Sequence, residues 1–324
     1  MSTTRWQEVL AESLVAGNSP QSAAENCIAA GAPADLVHGV VGRFVSHPLF
    51  QIARRDRVRR ECRDWWLAAI AELDTLRDGP ILPDASSLSR PQFIAQHYAQ
   101  NRAAALPGVT AAWPAIAKWN RDYLSSVCGD EVVEIMWGRN NAETWRQNTS
   151  DELKRRMPFR EYINTVFEGG PSNDHYMVSR NRFFEKGATA LLMEDIGNLE
   201  IVKTRTSPEH IRMWFGPAGT VTPLHYDGMN NVIVQVSGWK TVRLFPPCYS
   251  TFMRQVRPWY AESDPDLSWN GADSITPPQS IRVELRPGDA LFIPVGWWHA
   301  LEAREISITL AFIDFGVKNF YGAN

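Results

Sequence analysis

The chain has no uninterrupted apolar run approaching the roughly 20 residues that a membrane-spanning helix requires. Its opening residues, MSTTRWQEVLAESL, are polar and amphipathic and lack the apolar centre of a secretory signal. Cysteine is scarce. Cys27, Cys62, Cys128 and Cys248 are scattered without CxxC spacing, so neither a zinc ribbon nor a disulfide framework is expected, and reduced thiols in a cytoplasmic protein are. Charge of neither sign is in excess: 33 Lys and Arg against 36 Asp and Glu leave a net charge of -3, so the chain as a whole is no electrostatic partner for nucleic acid or an anionic membrane. No internal repeat or low-complexity tract interrupts it. Tryptophan, in contrast, is abundant, with 13 residues. An apolar content of 44% over 324 residues is enough for one large domain, or one large and one small.

Residues 1–83 read as helical. Trp6, Val9, Leu10 and Leu14 recur at helical spacing, Asn18-Ser19-Pro20 caps a second helix, and Ala32-Pro33-Ala34-Asp35 opens a third. A long helix over about Gln51 to Leu76 carries Arg54, Arg55, Arg57, Arg59, Arg60 and Arg63. Asp56, Glu61 and Asp64 interleave with that run, which favours a solvated or inter-subunit face over a nucleic-acid one, and a homodimer is the corresponding expectation. Asp78-Gly79-Pro80 and Pro83-Asp84-Ala85-Ser86-Ser87 form the linker.

Residues 84–324 have a different texture. Short helices are expected at Ser89–Tyr98, after Trp113-Pro114 and over Met157–Ile163. Strands are expected at Ala103–Leu106, Val132–Trp137, Ile211–Phe215, Asn231–Val236, Lys240–Phe245, Ser280–Leu285, Ala290–Ile293 and Ile306–Phe312. Arg286-Pro287-Gly288-Asp289 is a tight turn between two of these. The order suits a mainly β fold with helices, a double-stranded β-helix (jelly roll) preceded by the helical region.

The chemistry concentrates at His225-Tyr226-Asp227. On extended backbone, side chains two apart share a face, so His225 and Asp227 can grip one ion while Tyr226 points away. His299 supplies a third donor. Two imidazoles and a carboxylate on one side of a metal form the facial triad of non-haem Fe(II) oxygenases. An isolated His-Asp pair is more simply a hydrogen-bonded core pair, so the surrounding residues decide. Lys240, fifteen residues after His225, is expected on the strand adjacent to it and alternates with Val242 and Leu244, and a lysine facing inward requires an anion beside it. The Ser237-Gly238-Trp239 approach also permits an exposed hairpin lysine, and Asn231 a strand-entry cap.

WFGPAGTVTPLHYD (Trp214 to Asp227), the NxxxQxxGxK pattern from Asn231 to Lys240, GDALFIPVGWWH (Gly288 to His299) and NRAAALPGVTAAWPAIAKW (Asn101 to Trp119) resemble the JmjC/cupin-like family of Fe(II)- and 2-oxoglutarate-dependent oxygenases, in its hydroxylase branch. The resemblance implies Fe(II) on His225, Asp227 and His299. It implies the far carboxylate of 2-oxoglutarate on Lys240 with the Thr222 hydroxyl, and further co-substrate contacts from Asn231 and Tyr176. Trp214 and Trp298 would wall the pocket and keep it dry. The implied reaction uses O2 to hydroxylate a C–H bond of a residue in a peptide or protein, with succinate and CO2 as co-products. Ala311 stands where asparaginyl hydroxylases of this branch carry asparagine. The readings kept beside this one are a metal-binding cupin scaffold or sensor without turnover, and a lysine demethylase.

Outside these motifs, His175 and His210 are expected in loops, and Glu194 and Asp195 facing solvent. Cys248 has no base beside it to make it a nucleophile. Asp264, Asp266 and Asp273 lie in a polar insertion, Pro258–Pro278, that suits a lid or a solvated loop equally.

Overall fold

The computed structural model describes residues 3–76, 82–142, 151–203, 207–253, 255–257, 259–261 and 280–321. The chain divides into two compact units, residues 1–74 and 75–324.

The first unit is built on helices α1 (Thr3–Val15), α2 (Pro20–Ala29), α3 (Ala34–Ser46) and α4 (Pro48–Thr75). α2 starts as its sequence dictates: the Ser19 hydroxyl accepts from the Ser22 N–H, and Pro20 occupies a position whose own N–H would have no partner. Trp6, Leu10 and Leu14 bury one face of α1 against Ala23, Cys27, Val37 and Phe50. Of the expected linker, Asp78-Gly79-Pro80 lies outside the described residues.

In the second unit the chain runs α5 (Arg90–Phe93), β1 (Ala104–Leu106), α6 (Pro114–Lys118), α7 (Arg121–Cys128), β2 (Val132–Trp137), β3 (Lys154–Pro158), α8 (Phe159–Glu168) and β4 (His175–Tyr176). Ten more strands follow: β5 (Ile211–Gly216), β6 (Val221–His225), β7 (Asn231–Ser237), β8 (Lys240–Phe245), β9 (Gln255–Arg257), β10 (Tyr260–Ala261), β11 (Ile281–Leu285), β12 (Ala290–Ile293), β13 (Trp298–Ala303) and β14 (Ser307–Phe312). They form a five-stranded sheet, β1-β12-β7-β14-β5, and a six-stranded sheet, β11-β8-β13-β6-β10-β9, with β3-β2-β4 as a smaller third. Every β12, β7 and β14 pairing is antiparallel. From β5 to β8 and again from β11 to β14 successive strands alternate between the two large sheets, while β8 to β11 all lie in the six-stranded one; the alternation is the jelly-roll arrangement expected from the strand order.

The five-stranded sheet is covered on both faces, which is why β7 and β14 read as nearly continuous apolar runs. One face packs Val232, Val234, Phe292 and Leu310 on Phe93, Trp113 and the α8 residues Tyr162, Ile163 and Val166. The other sets Ile233, Leu291 and Ile293 against Val242, Leu244 and Leu285 of the six-stranded sheet. The site opens within that inter-sheet layer.

Several expectations are corrected. The helix expected from Met157 begins at Phe159, because Lys154–Pro158 pairs with β2 as a strand and Pro158 becomes the helix cap. His175 is buried on β4, stacked on Trp137 at 5.1 Å, and burial lowers its pKa. Asp195 is buried too. Lys118 Nζ (2.8 Å), Trp119 Nε1 (3.1 Å) and Tyr123 Oη (2.5 Å) all donate to its carboxylate, so a polar residue after an apolar run turns inward because α6, α7 and the residue after α6 carry its partners. Glu194 is exposed as expected. The insertion Pro258–Pro278, with Asp264, Asp266 and Asp273, lies outside the described residues apart from Trp259–Ala261.

Candidate active site

Two cross-strand facts position the candidate metal donors. His299 on β13 lies directly opposite His225 on β6, and β13 pairs on its other edge with β8, setting Ala303 opposite Lys240. Lys240 is therefore two strands from His225 with β13 between, not on the neighbouring strand as the sequence spacing suggests. The polypeptide leaves this sheet to run β7 in the opposite one before returning as β8. The β6–β13 register also slips: His225 to Thr222 is three residues, but their partners His299 and Leu301 are two apart. The extra residue in β6 is a bulge, and it brings Thr222 onto the face of His225 despite an odd separation.

Each imidazole is turned by the same local contact. His225 Nδ1 lies 2.7 Å from the Pro223 carbonyl and His299 Nδ1 2.9 Å from the Trp297 carbonyl. A carbonyl only accepts, so Nδ1 carries the proton in both rings and Nε2 is left with its lone pair. The ring centroids are 4.1 Å apart, and His299 Nε2 is 3.7 Å from Asp227 Oδ2. One donor atom from each of His225, Asp227 and His299 falls within 4.8 Å of the others. Asn231 Nδ2 donates to Asp227 Oδ2 at 2.7 Å and fixes the carboxylate. Burial, together with the adjacent His225, pushes the pKa of His299 down to about 4 against the pull of Asp227. The ring is then neutral at physiological pH, the form that binds a metal. This donor set fits a divalent transition metal with the opposite coordination positions open.

A cavity of about 240 Å³ leads away from the triad. Of the nine residues that the sequence assigns to the site, eight (His225, Asp227, His299, Lys240, Thr222, Asn231, Tyr176 and Trp214) line it, as does Ala311; Trp298 does not. Lys240 is buried, and its one hydrogen bond among the described residues is to Tyr176 Oη at 3.2 Å. The hairpin alternative is thereby overturned. Tyr176 arrives from β4, its ring lying against Gly216, where a Cβ would sit 2.8 Å from the ring.

The NxxxQxxGxK pattern is explained by this geometry. Asn231 holds a donor carboxylate and Lys240 faces the cavity. Gln235 Nε2 donates to the carbonyls of Ser237 and Gly238 and to Ser307 Oγ, while its Oε1 accepts from Thr309 Oγ1, a cavity-wall hydroxyl. Gly238 has φ +63°, and a Cβ there would lie 2.0 Å from the Ile306 carbonyl. Gln235 and Gly238 thus shape the turn that delivers Lys240.

Trp298 does not wall the cavity. Neighbouring strand residues face opposite ways, so with His299 inward Trp298 points out, its Nε1 donating to Ser250 Oγ and its ring against Tyr226 at 4.7 Å. Sequence reasoning missed Tyr260, whose ring stacks on His225 at 5.6 Å, and Ser179 and Thr309 on the wall. It also missed Arg139, fully buried behind the cavity. Arg139 Nη2 donates to the Val221 carbonyl (2.7 Å) and Nη1 to Asn173 Oδ1 (3.0 Å), and the guanidinium lies over the Tyr176 ring at 5.4 Å. No periodicity or spacing marks an arginine held by distant backbone.

No helix among the described residues is long and apolar enough to cross a membrane. A sequence profile of the cupin-like domain matches residues 90–313. Lysine-specific demethylase JMJ30 of Arabidopsis thaliana is 29% identical over 246 residues, covering 70% of this chain and 53% of that protein. Jumonji C domain-containing protein 5 of Drosophila melanogaster is 28% identical over 246 residues, covering 71% and 59%. Lysine-specific demethylase 8 of Xenopus tropicalis is 27% identical over 242 residues, covering 71% and 52%. The chain spans a little over half the length of these relatives.

Proposed function

The chain belongs to the cupin-like family of JmjC domains, and from that premise we propose that it is an Fe(II)- and 2-oxoglutarate-dependent oxygenase hydroxylating a C–H bond on a residue of a peptide or protein, beyond the backbone. The observation that carries this reading is the pairing, on one cavity, of an open three-donor metal site with a buried lysine that has no carboxylate partner among the described residues. His225, Asp227 and His299 would hold the iron. Lys240, with Tyr176 Oη and the Thr222 hydroxyl, would take the far carboxylate of 2-oxoglutarate. Lys240 lies opposite Ala303 on β13, four positions along that strand from His299, which is about 13 Å. A lysine stem reaching back and a five-carbon diacid span that distance together.

Iron, O2 and 2-oxoglutarate supply the oxidising power when bound, the co-substrate leaving as succinate and CO2. The protein's own groups orient and exclude. Asn231 steadies Asp227, and Trp214, Ile233, Ile293 and Leu301 line the cavity with apolar surface that strengthens the polar contacts inside it. A second reading is favoured by the names of two relatives: applied to an N-methyl C–H bond on lysine, the same site would release formaldehyde. A metal-binding scaffold without turnover has no use for a buried lysine at the cavity.

Anaerobic titration of the Fe(II)-loaded protein with 2-oxoglutarate tests the proposal through the visible metal-to-ligand charge-transfer band. The band should appear, and should be lost in Lys240→Ala and in His299→Ala. No band from iron-loaded protein would sink the oxygenase reading and leave the scaffold. Peptide substrates, methylated and unmethylated, then separate the activities: gain of one oxygen supports hydroxylation, and formaldehyde supports demethylation.

A further inference from the structure

We infer that the outward face of α4 is a self-association surface that takes a second copy of this chain, the two α4 helices running antiparallel. The inference is independent of the oxygenase reading. α4 carries two stripes. Phe50, Arg57, Asp64 and Ala71, at seven-residue spacing, are its less exposed side. On the other side Ile52, Cys62, Trp66, Ala69 and Leu73, continued by Leu76, recur with the alternating three- and four-residue spacing of a coiled-coil seam, interrupted only by Arg55 and Arg59. That seam faces solvent: Trp66 is 59% exposed, Leu73 64% and Leu76 78%, with Trp65 beside them at 63%. From Cys62 to Leu76 the seam is unbroken by charge, and an exposed apolar stripe that includes two tryptophans marks a contact.

Charge selects the occupant and its direction. Six arginines lie between positions 54 and 63, and beyond Arg63 every charge on the helix is acidic: Asp64, Glu72 and Asp74. Arg57, Arg60 and Arg63 pair within the helix with Glu61, Asp56 and Asp64. Arg55 and Arg59, the two on the seam, have no carboxylate partner among the described residues. A parallel copy would set each against itself. An antiparallel copy about a two-fold axis near Asp64 sets Ile52 against Leu76, Cys62 against Trp66, and Arg55 against Leu73 beside Glu72. It brings Arg59 towards the tryptophan pair, where a guanidinium stacks well. Every contact is reciprocated, so the assembly closes at two copies. The helix has 28 residues, about 42 Å, so the seam is long enough for a specific interface.

Light scattering and sedimentation of the full-length protein across a concentration series test this. The expected mass is twice that of one copy. Trp66→Glu with Leu73→Glu should give a monomer with an unchanged helical circular-dichroism signal, since neither residue is packed within its own unit. Arg55→Glu alone and Glu72→Arg alone should each weaken the dimer by about tenfold, and the two together should restore it. A monomer at high micromolar concentration would overturn the inference, as would a dimer indifferent to the Trp66 and Leu73 changes. So would a monomer that floats with phosphatidylcholine–phosphatidylserine vesicles but not with phosphatidylcholine alone, which would assign the face to a lipid surface.

Discussion

His225 and His299 are direct partners on one antiparallel rung, and each ring is turned by a hydrogen bond from Nδ1 to the carbonyl two residues before it. The repeated contact means the backbone itself selects the tautomer at both donors, so the Nε2 lone pairs converge before any metal arrives. Pre-orientation of this kind removes rotamer entropy from the binding step. The third donor is steadied differently, by the amide of Asn231, and is the more easily perturbed.

Asn231→Ala should therefore weaken metal binding without removing a ligand. Losing the amide bond to Asp227 Oδ2 frees the carboxylate to rotate, and such supporting contacts typically contribute about 10–100-fold in affinity. Mn(II) binding followed by electron paramagnetic resonance reads this directly. An affinity within twofold of the unaltered protein would show that the cavity walls, not Asn231, hold Asp227.

Lys240→Met separates stability from binding. The lysine is buried, with a phenol as its hydrogen-bonding partner, so an apolar residue of similar length should leave the ligand-free protein as stable or raise its melting temperature. The same change removes the cation proposed for the far carboxylate and should weaken 2-oxoglutarate by about 10–100-fold, the worth of a charge-assisted hydrogen bond. Differential scanning fluorimetry with and without 2-oxoglutarate gives both readouts. A variant less stable alone, yet equally stabilised by 2-oxoglutarate, would remove Lys240 from the co-substrate site.

The parts of this site that were legible in the sequence are those where local geometry forces the chemistry. An HxD on extended backbone, a lysine alternating with Val242 and Leu244, and apolar runs such as Val232–Val236 follow from strand periodicity alone. What was misread depends on which strand lies next to which. Lys240 looked adjacent to His225 because sequence spacing does not reveal that β7 crosses to the other sheet. The family resemblance puts Trp298 in the wall, but its strand neighbour His299 takes that face. Sequence spacing alone leaves Asp195 in solvent because its three donors lie 72 to 77 residues away, on α6 and α7 and between them.

Gly238→Ala tests the turn between the sheets. Its backbone is in the left-handed region, and the added Cβ would meet the Ile306 carbonyl at 2.0 Å, so β7–β8 or β14 must shift. Destabilisation on the order of 1–3 kcal/mol is expected from strain of this kind, measured by urea denaturation. Because Gln235 ties the same turn to Thr309 on the cavity wall, 2-oxoglutarate affinity should fall alongside stability. An unchanged denaturation midpoint would mean the turn accommodates a Cβ freely.

Arg139 reaches two groups of the proposed co-substrate site at once without lining the cavity. It holds the carbonyl of Val221, the residue before Thr222, and it covers the ring of Tyr176. Asn173, half-buried, completes the arrangement by accepting from the Val221 N–H at 2.9 Å, so both backbone polar groups of Val221 are fixed by the Arg139–Asn173 pair. Burial lowers the pKa of the guanidinium to about 10, which leaves it charged at neutral pH. Arg139→Lys keeps the charge but not the planar fork, and a point charge cannot hold Asn173 and Val221 together. The expected outcome is a 2-oxoglutarate affinity lower by about tenfold, the equivalent of one lost hydrogen bond to a charged group, with Mn(II) affinity within twofold because neither imidazole nor Asp227 is touched. Asn173→Ala, a milder lesion, should move both quantities in the same directions by less. A merely structural arginine would lower the denaturation midpoint of both variants and leave the 2-oxoglutarate dissociation constant of the folded protein where it was.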